Sequence, residues 1–328
     1  MNRRRTNGVA LISVMLIVAL CSALMYELLT RHSLVVAKTR QVLYGDQSRA
    51  YALGAEAFAR QLLEEDWQNE DSRALDSLDE PWAQPIEPFE VDNGSLELSI
   101  IDLDRRFNLN SLSGTGADVQ VKRLKTLLNA LGLDDRFAEL WKDWVDEDQQ
   151  ITGFGAEDDT YLLRNPPHRT ANSASGGVSE LGLLDGLDAD TLAAIRPHVS
   201  AVPSTTILIN VNTADSAVLQ SMSEAMTAAR ADSLVESARA YGAAAELAAE
   251  IPELKDSLDL MTVTSQFFEI QARAEVNGVR AELVSVVHRD PETGALALLS
   301  RNFGRRYQSP FVRIEDTGDV GDPGDNKR

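Results

Sequence analysis

Between Asp143 and Asp159 the sequence reads DWVDEDQQITGFGAEDD. It carries seven carboxylates there, Asp143, Asp146, Glu147, Asp148, Glu157, Asp158 and Asp159, with no lysine or arginine among them. Like charges this dense repel one another unless a cation intervenes. Ca2+ is the natural candidate, because it gathers about six to eight oxygen ligands from carboxylates, carbonyls and water. Asp146, Asp148 and Gln150 hold the first, third and fifth places of a calcium-loop spacing, and Glu157 holds the twelfth. The sixth place is Ile151 rather than the glycine of an EF-hand, so any site is folded differently. The expected ligands are Asp146, Asp148, Gln150, Glu157, Asp158 and Asp159; a solvated acidic loop is the plainer reading of the same residues.

Other motifs point to scaffold rather than chemistry. The stretch LLDGLDADTL has the form of a helix-hairpin-helix, whose turn amides can hold a DNA phosphate. Its neighbours, however, are Glu180, Asp185, Asp188 and Asp190 against Arg196, where DNA binding calls for basic residues. In INVNTA, Asn210 and Asn212 read as a turn and N-cap before a helix, with Thr213 assisting. In FNLNSL, Asn108 and Asn110 read as caps or as bonds across a domain boundary. The four histidines, His32, His168, His198 and His288, are scattered singly, and no nucleophile elbow or phosphate loop is present. The expectation is a protein that is not an enzyme. Its net charge of −20 argues against a nucleic-acid partner. The single cysteine, Cys21, excludes an intrachain disulfide.

These motifs need elements to hold them. After three prolines at 81, 85 and 88, FEVDNGSLELSI reads as a hairpin around Asn93-Gly94. Strands recur in TVTSQFFEIQARAEVNGVRAELVSVVHRD and ALALLSRNF, and between the two sets residues 113–258 read as helical. The tail 315–328, rich in glycine and aspartate, reads as disordered.

At the other end, Arg3, Arg4 and Arg5 precede an uncharged run from Val9 to Tyr26 that Leu28 and Leu29 extend. About 21 residues at ~1.5 Å each span roughly 31 Å, enough for the hydrocarbon core of a bilayer. The arginines keep the N-terminus cytoplasmic. Three readings compete. A cleaved signal peptide wants a shorter apolar region and a small-residue cut site. A lipoprotein signal at VALC meets the large Leu20 before Cys21. A prepilin-type leader, ending at Gly8, leaves the apolar helix in place. The helical pattern continues without proline to Glu65, with an apolar stripe at Tyr51, Ala55, Phe58, Leu62 and Leu63. One rod of roughly 55 residues and ~85 Å favours the third reading.

RRRTNGVALISV resembles the start of type II secretion pseudopilins. Adding DLDRRFNLNSL (102–112), WKDWVDEDQQITGFGAEDDTYLL (141–163), SELGLLDGLDADTLAAIRPHVSAVP (179–203) and INVNTA (209–214), the chain resembles the general secretion pathway protein K family of minor pseudopilins. The resemblance implies an α+β, type IV pilin-like fold, a long N-terminal helix on an antiparallel sheet, with a large all-α domain inserted in the head. The expected segments are a leader (1–8), a transmembrane part of the helix (9–29), the pilin helix and first strands (30–112), the insert (113–258), the last strands (259–314) and the tail (315–328). It also implies cleavage by prepilin peptidase between Gly8 and Val9, methylation of the new N-terminus, and calcium bound by the acidic segment. Expected partners are I- and J-type minor pseudopilins, the inner-membrane assembly platform and secreted substrates, with the head in the periplasm and a place at the pseudopilus tip. Ser13 stands fifth after the cleavage point, where most pilins have a glutamate that pairs with the amine of the subunit above. A subunit with nothing above it has no such amine; a small polar residue bonding its own helix backbone is the simpler account. The alternative overall is a membrane-anchored helix-hairpin-helix protein for DNA uptake.

Overall fold

The structure is a computed structural model that describes residues 7–114, 116–206 and 208–305. The leader residues 1–6, the end of the last expected strand segment and the tail 315–328 lie outside the described residues.

Helix α1 runs Asn7–Gln68, 62 residues, as one rod without proline. Among the described residues its first half has no packing partner: large apolar side chains between Leu11 and Leu43 are exposed, Leu16 at 66%. It is the one helix, among the described residues, that is long and apolar enough to cross a membrane. From Ser48 onward α1 turns one face inward, burying Ser48, Ala52, Ala55, Glu56, Ala59, Leu63 and Asp66. The predicted stripe is therefore rotated: Phe58 is 41% exposed, and Tyr51 and Leu62 are only half-buried. The cause is close approach. Ala52, Ala55 and Ala59 of α1 share one core with Ala272 and Ala274 of the sheet, and of the predicted stripe Tyr51 and Leu62 pack only at its edge while Phe58 is left outside.

A one-turn helix α2 (Glu70–Arg73) follows, then β1 (Phe89–Val91) and β2 (Gly94–Asp102), the hairpin expected around Asn93. The chain leaves the sheet at Asp102. It forms β3 (Phe107–Asn108), a 3-10 turn at Leu109–Ser113, and helices α3 (Ala117–Ala130), α4 (Arg136–Val145), α5 (Asp158–Tyr161) and α6 (Ala189–Ile195). Strands β4 (Val199–Ser200) and β5 (Ile209–Asn210), helices α7 (Ser216–Ser221), α8 (Ala228–Glu236) and α9 (Ala244–Glu250), and strand β6 (Met261–Thr262) complete this excursion. It re-enters the sheet with β7 (Phe267–Val276), β8 (Val279–Arg289) and β9 (Leu296–Asn302).

The sheet has order β1-β2-β7-β8-β9 and is antiparallel throughout, with Ile100 opposite Ile270 and Ala272 opposite Leu283. Asn277 and Gly278 both take positive φ between β7 and β8, the geometry a two-residue hairpin requires. Residues 113–258 are not wholly helical. β4 pairs in parallel with β3 and β5 with β6, two residues each, too short to leave an alternating pattern in the sequence. The continuous helical reading of 215–250 also breaks into three, because Thr227 caps a fresh helix at α8 and residues 237–243 are irregular.

Two hydrophobic cores result. One lies between α1 and the sheet, around Trp82, Leu98, Phe268 and Leu283. The other fills the excursion, around Phe107, Leu127, Trp141, Tyr161, Leu219 and Leu254. Leu103, Val202 and Phe267 form a third, smaller cluster with Val286 against it.

Candidate metal centre

The acidic segment begins inside a helix. In α4, RFAELWKDWV, six apolar residues face the second core, and Asp143 falls among them, fully buried. Trp141 fixes the helix by donating Nε1–H to the Leu109 carbonyl at 3.0 Å. Asp146 ends α4 in extended conformation, and the chain then loops back over the helix. Thr152 N–H donates to both Asp143 oxygens at 3.2 and 3.1 Å, and Phe154 N–H donates to Glu139 Oε2 at 2.7 Å. A Cβ on Gly155 would stand 1.9 Å from Asp143 Oδ2, so only glycine lets the loop lie this close. Glu139, paired with Lys125 at 2.7 Å, anchors the loop. Burial alone would raise its carboxyl, but Lys125 and the Phe154 amide hold it below the usual carboxylate range.

The loop returns at Glu157, which is buried. Asp146, Asp148 and Glu157 each bring an oxygen within 4.8 Å of the other two. Asp146 Oδ1 and Glu157 Oε1 are enclosed and, among the described residues, accept no hydrogen bond. Burial pushes Glu157 up to about 7, with the charges of Asp143, Asp146 and Asp148 adding to it and a Thr170 hydroxyl opposing. Burial also pushes Asp143 up to about 6, against the Thr152 donors. Asp146 is raised by burial and by Asp148. Lys142, whose charge opposes the rise at Asp143 and Asp146, pairs with Asp118 at 3.2 Å and bonds Thr152 Oγ1 at 3.3 Å. The donor set is all oxygen and strongly anionic, without cysteine or histidine. It suits a hard divalent cation and not zinc.

The other expected ligands go elsewhere. Asp158 accepts from Thr170 N–H at 3.0 Å and Oγ1–H at 3.1 Å and forms an ion pair with Arg169, which keeps its carboxyl low. Gln150 is exposed, its backbone N–H donating to Asp148 Oδ1 at 2.7 Å, and Asp159 is exposed. Asp143 and Thr170 were not among the expected ligands. Asp143 had a signal, since it is one of the seven crowded carboxylates and stands three residues before Asp146. Thr170 had none.

The scaffold motifs are buried in bonding. Asp188 caps α6 by accepting from Thr191 N–H at 2.8 Å. Asn108 caps the 3-10 turn and donates to Ser204 O at 2.6 Å, while Asn110 bonds Ser175 and Val202. The cap that follows INVNTA is Asp215, which accepts from Val218 N–H at 3.0 Å; Asn212 instead bonds Tyr241 at both ends of its amide. His198 simply pairs with Asp215 at 2.8 Å. Asn210 and Thr213 donate to Asp102 Oδ2, at 3.4 and 2.6 Å, within a second buried polar group. There Arg289 meets Asp66 at 3.0 Å and Asp76 at 2.6 Å, beside Glu80. At the N-terminus, Gly8 and Val9 lie in the first turn or so of α1, and Ser13 is exposed on it.

This geometry defines a class: a body of helices and sheet carried on one apolar helix that is a candidate membrane anchor. Comparison with known proteins names the family. Residues 105–204 match the family described as Type II secretion system (T2SS), protein K. The chain is 33% identical over 318 residues to Type II secretion system protein K of Pseudomonas aeruginosa, covering 92% of this chain and 94% of the relative. It is 30% identical to the protein of that name from Aeromonas hydrophila, over 92% and 98% of the two chains. A solved chain of the GspK-GspI-GspJ complex from enterotoxigenic Escherichia coli is similar over 82% of this chain and all of that one, at TM-score 0.73 and 25% identity. The chain belongs to the type II secretion system protein K family.

Proposed function

We propose that this chain works at the tip of the type II secretion pseudopilus, priming and capping its assembly with I- and J-type minor pseudopilins. The observation that carries this reading is the second hydrophobic core built between β2 and β7, which makes the body broad beside α1. A broad subunit can end a stack of parallel rods and obstructs the next rod above it. Ser13, in place of the pairing glutamate, accords with having no subunit above. The solved GspK-GspI-GspJ complex supports the partners.

In this reading the fold is pilin-like with a helical insert, prepilin peptidase cuts between Gly8 and Val9, and the new N-terminus is methylated. Residues 9–29 stay in the inner membrane, and the head stands in the periplasm beside the assembly platform and the secreted substrates. The role is structural, in keeping with a family not known as enzymes. Asp146, Asp148 and Glu157 would hold Ca2+, which neutralises their charge when bound; Asp143 tightens the site by orienting the loop through Thr152. Copurification with I- and J-type subunits, followed by imaging of labelled fibres, tests the proposal. Label at fibre ends is the expected result, and label along the fibre overturns it. Mass spectrometry of the mature chain should find Val9 first; an intact leader would refute the processing step.

A further inference from the structure

A cleft of about 210 Å³ opens between the sheet and the helical body. In a chain of net charge −20 it is lined by four arginines, Arg106, Arg196, Arg301 and Arg305, and by one acid, Glu269. Two of the four are neutralised: Arg301 pairs with Glu56 at 2.6 Å and Arg305 with Glu269 at 2.9 Å. Arg106 and Arg196 have no ion pair among the described residues. Arg106 Nε is enclosed with no hydrogen-bond partner there, and so is the hydroxyl of Ser200, a residue 2% exposed on the same cleft. Burial pushes Arg106 down from its ordinary value, and the charges of Arg105 and Arg305 push the same way against Glu269. Donors walled in without acceptors destabilise a fold unless something accepts from them.

We propose that this cleft binds a carboxylate carried on a polypeptide, with Arg106 and Arg196 as the cationic clamp and Ser200 as the hydroxyl donor. A planar carboxylate matches the guanidinium fork. Glu269 on the same wall disfavours a dianion such as phosphate. That the carboxylate comes on a polypeptide rests on the proposed role among other subunits. Two sources share this chemistry: an acidic side chain or C-terminus of a neighbouring subunit, and the chain's own end. Beyond Arg305 on the rim the sequence carries Glu315, Asp316, Asp319, Asp322 and Asp325.

The test titrates the detergent-solubilised full chain with a capped pentapeptide bearing one central glutamate, its glutamine counterpart, and inorganic phosphate. The glutamate peptide is expected to bind at least tenfold more tightly than either control, and R106Q or R196Q to weaken it at least tenfold. Arg196 is only half-buried, so R196Q tests the site even if R106Q fails to fold. The same titration on a variant carrying E315Q, D316N, D319N, D322N and D325N separates the sources. Binding gained only there assigns the carboxylate to this chain's own tail, and equal binding in both assigns it to another subunit. Equal affinity for both peptides, preference for phosphate, indifference to R196Q, or no binding to either chain overturns the proposal. None of these results bears on where the subunit sits in a fibre, which the labelling experiment decides separately.

Discussion

The two ends of the body solve the same problem differently. Beneath the sheet, Glu56, Asp66 and Asp76 are buried carboxylates, and each meets an arginine from a neighbouring strand: Arg301 for Glu56, Arg289 for the other two. In the acidic loop, Asp143 and Glu157 are also buried and Asp146 is half-buried, yet no arginine or lysine pairs with them among the described residues. A guanidinium fork satisfies a carboxylate permanently and locks two elements together. Carboxylates left facing one another store repulsion that protons or a divalent cation can relieve. The first arrangement is a fixed joint. The second depends on what the surroundings supply.

The sharpest way to break this contrast is Arg289→Ala. It strands Asp66 and Asp76 in the interior and should cost about 3–5 kcal/mol in urea unfolding of the full chain. A loss below 1 kcal/mol would show that these carboxylates are protonated in place, burial already pushing Asp76 up to about 6.

Calcium comes next. At a free concentration of about 100 times its dissociation constant it should add about 2.7 kcal/mol, seen as a raised melting temperature over chelated protein. Asp146→Asn with Glu157→Gln should erase the difference. Superimposable melts of the unaltered protein with and without calcium would remove the metal from the account.

The pH response gives the contrast a sign. Asp143 and Glu157 have folded-state values raised above their ordinary ones, to about 6 and about 7. The folded, metal-free chain thus binds more protons than the unfolded one. Its stability from these groups is full below about pH 4 and is lost as pH rises to about 7. Calcium should flatten that decline, and so should Glu157→Gln in metal-free protein. Glu56 runs the other way: burial would raise it, but Arg301 and Ser285 hold it below its ordinary value. Its contribution is present above about pH 4.5 and is lost as pH falls. Glu56→Gln is the smallest effect, about 1.5 kcal/mol at pH 7, and should shrink as pH falls below about 4.5.

Much of this was legible. The rod, both hairpin turns at Asn-Gly and the antiparallel strands follow from local pattern, because proline absence, turn chemistry and alternation act over a few residues. The acidic loop announced itself by charge density, and three of its six expected ligands converge. Asp158 did not, because its partners, Arg169 and Thr170, come from a later segment whose return path no spacing encodes. The Arg289 joint was invisible for the same reason: Asp66, Asp76 and Arg289 are ordinary charges until the fold collects them. Phe58 misled through size, since the helix approaches the sheet on its alanines and the larger ring is excluded.

The central pairing of the sheet, β2 with β7, joins strands separated by most of the head's length in sequence. Closing so long a loop from an open coil costs on the order of 4–5 kcal/mol of chain entropy. Asp104 shortens the journey, accepting from the amides of Gln266 and Phe267 at 2.5 and 3.1 Å and so clasping the start of the excursion to its finish. If the helical core gathers first, it delivers β7 to β2 ready aligned; until then the alanine face of the rod has no floor to rest on. Folding in that order runs from the periphery toward the stem, and a subunit halted before its completion has a shaft but no seat for it.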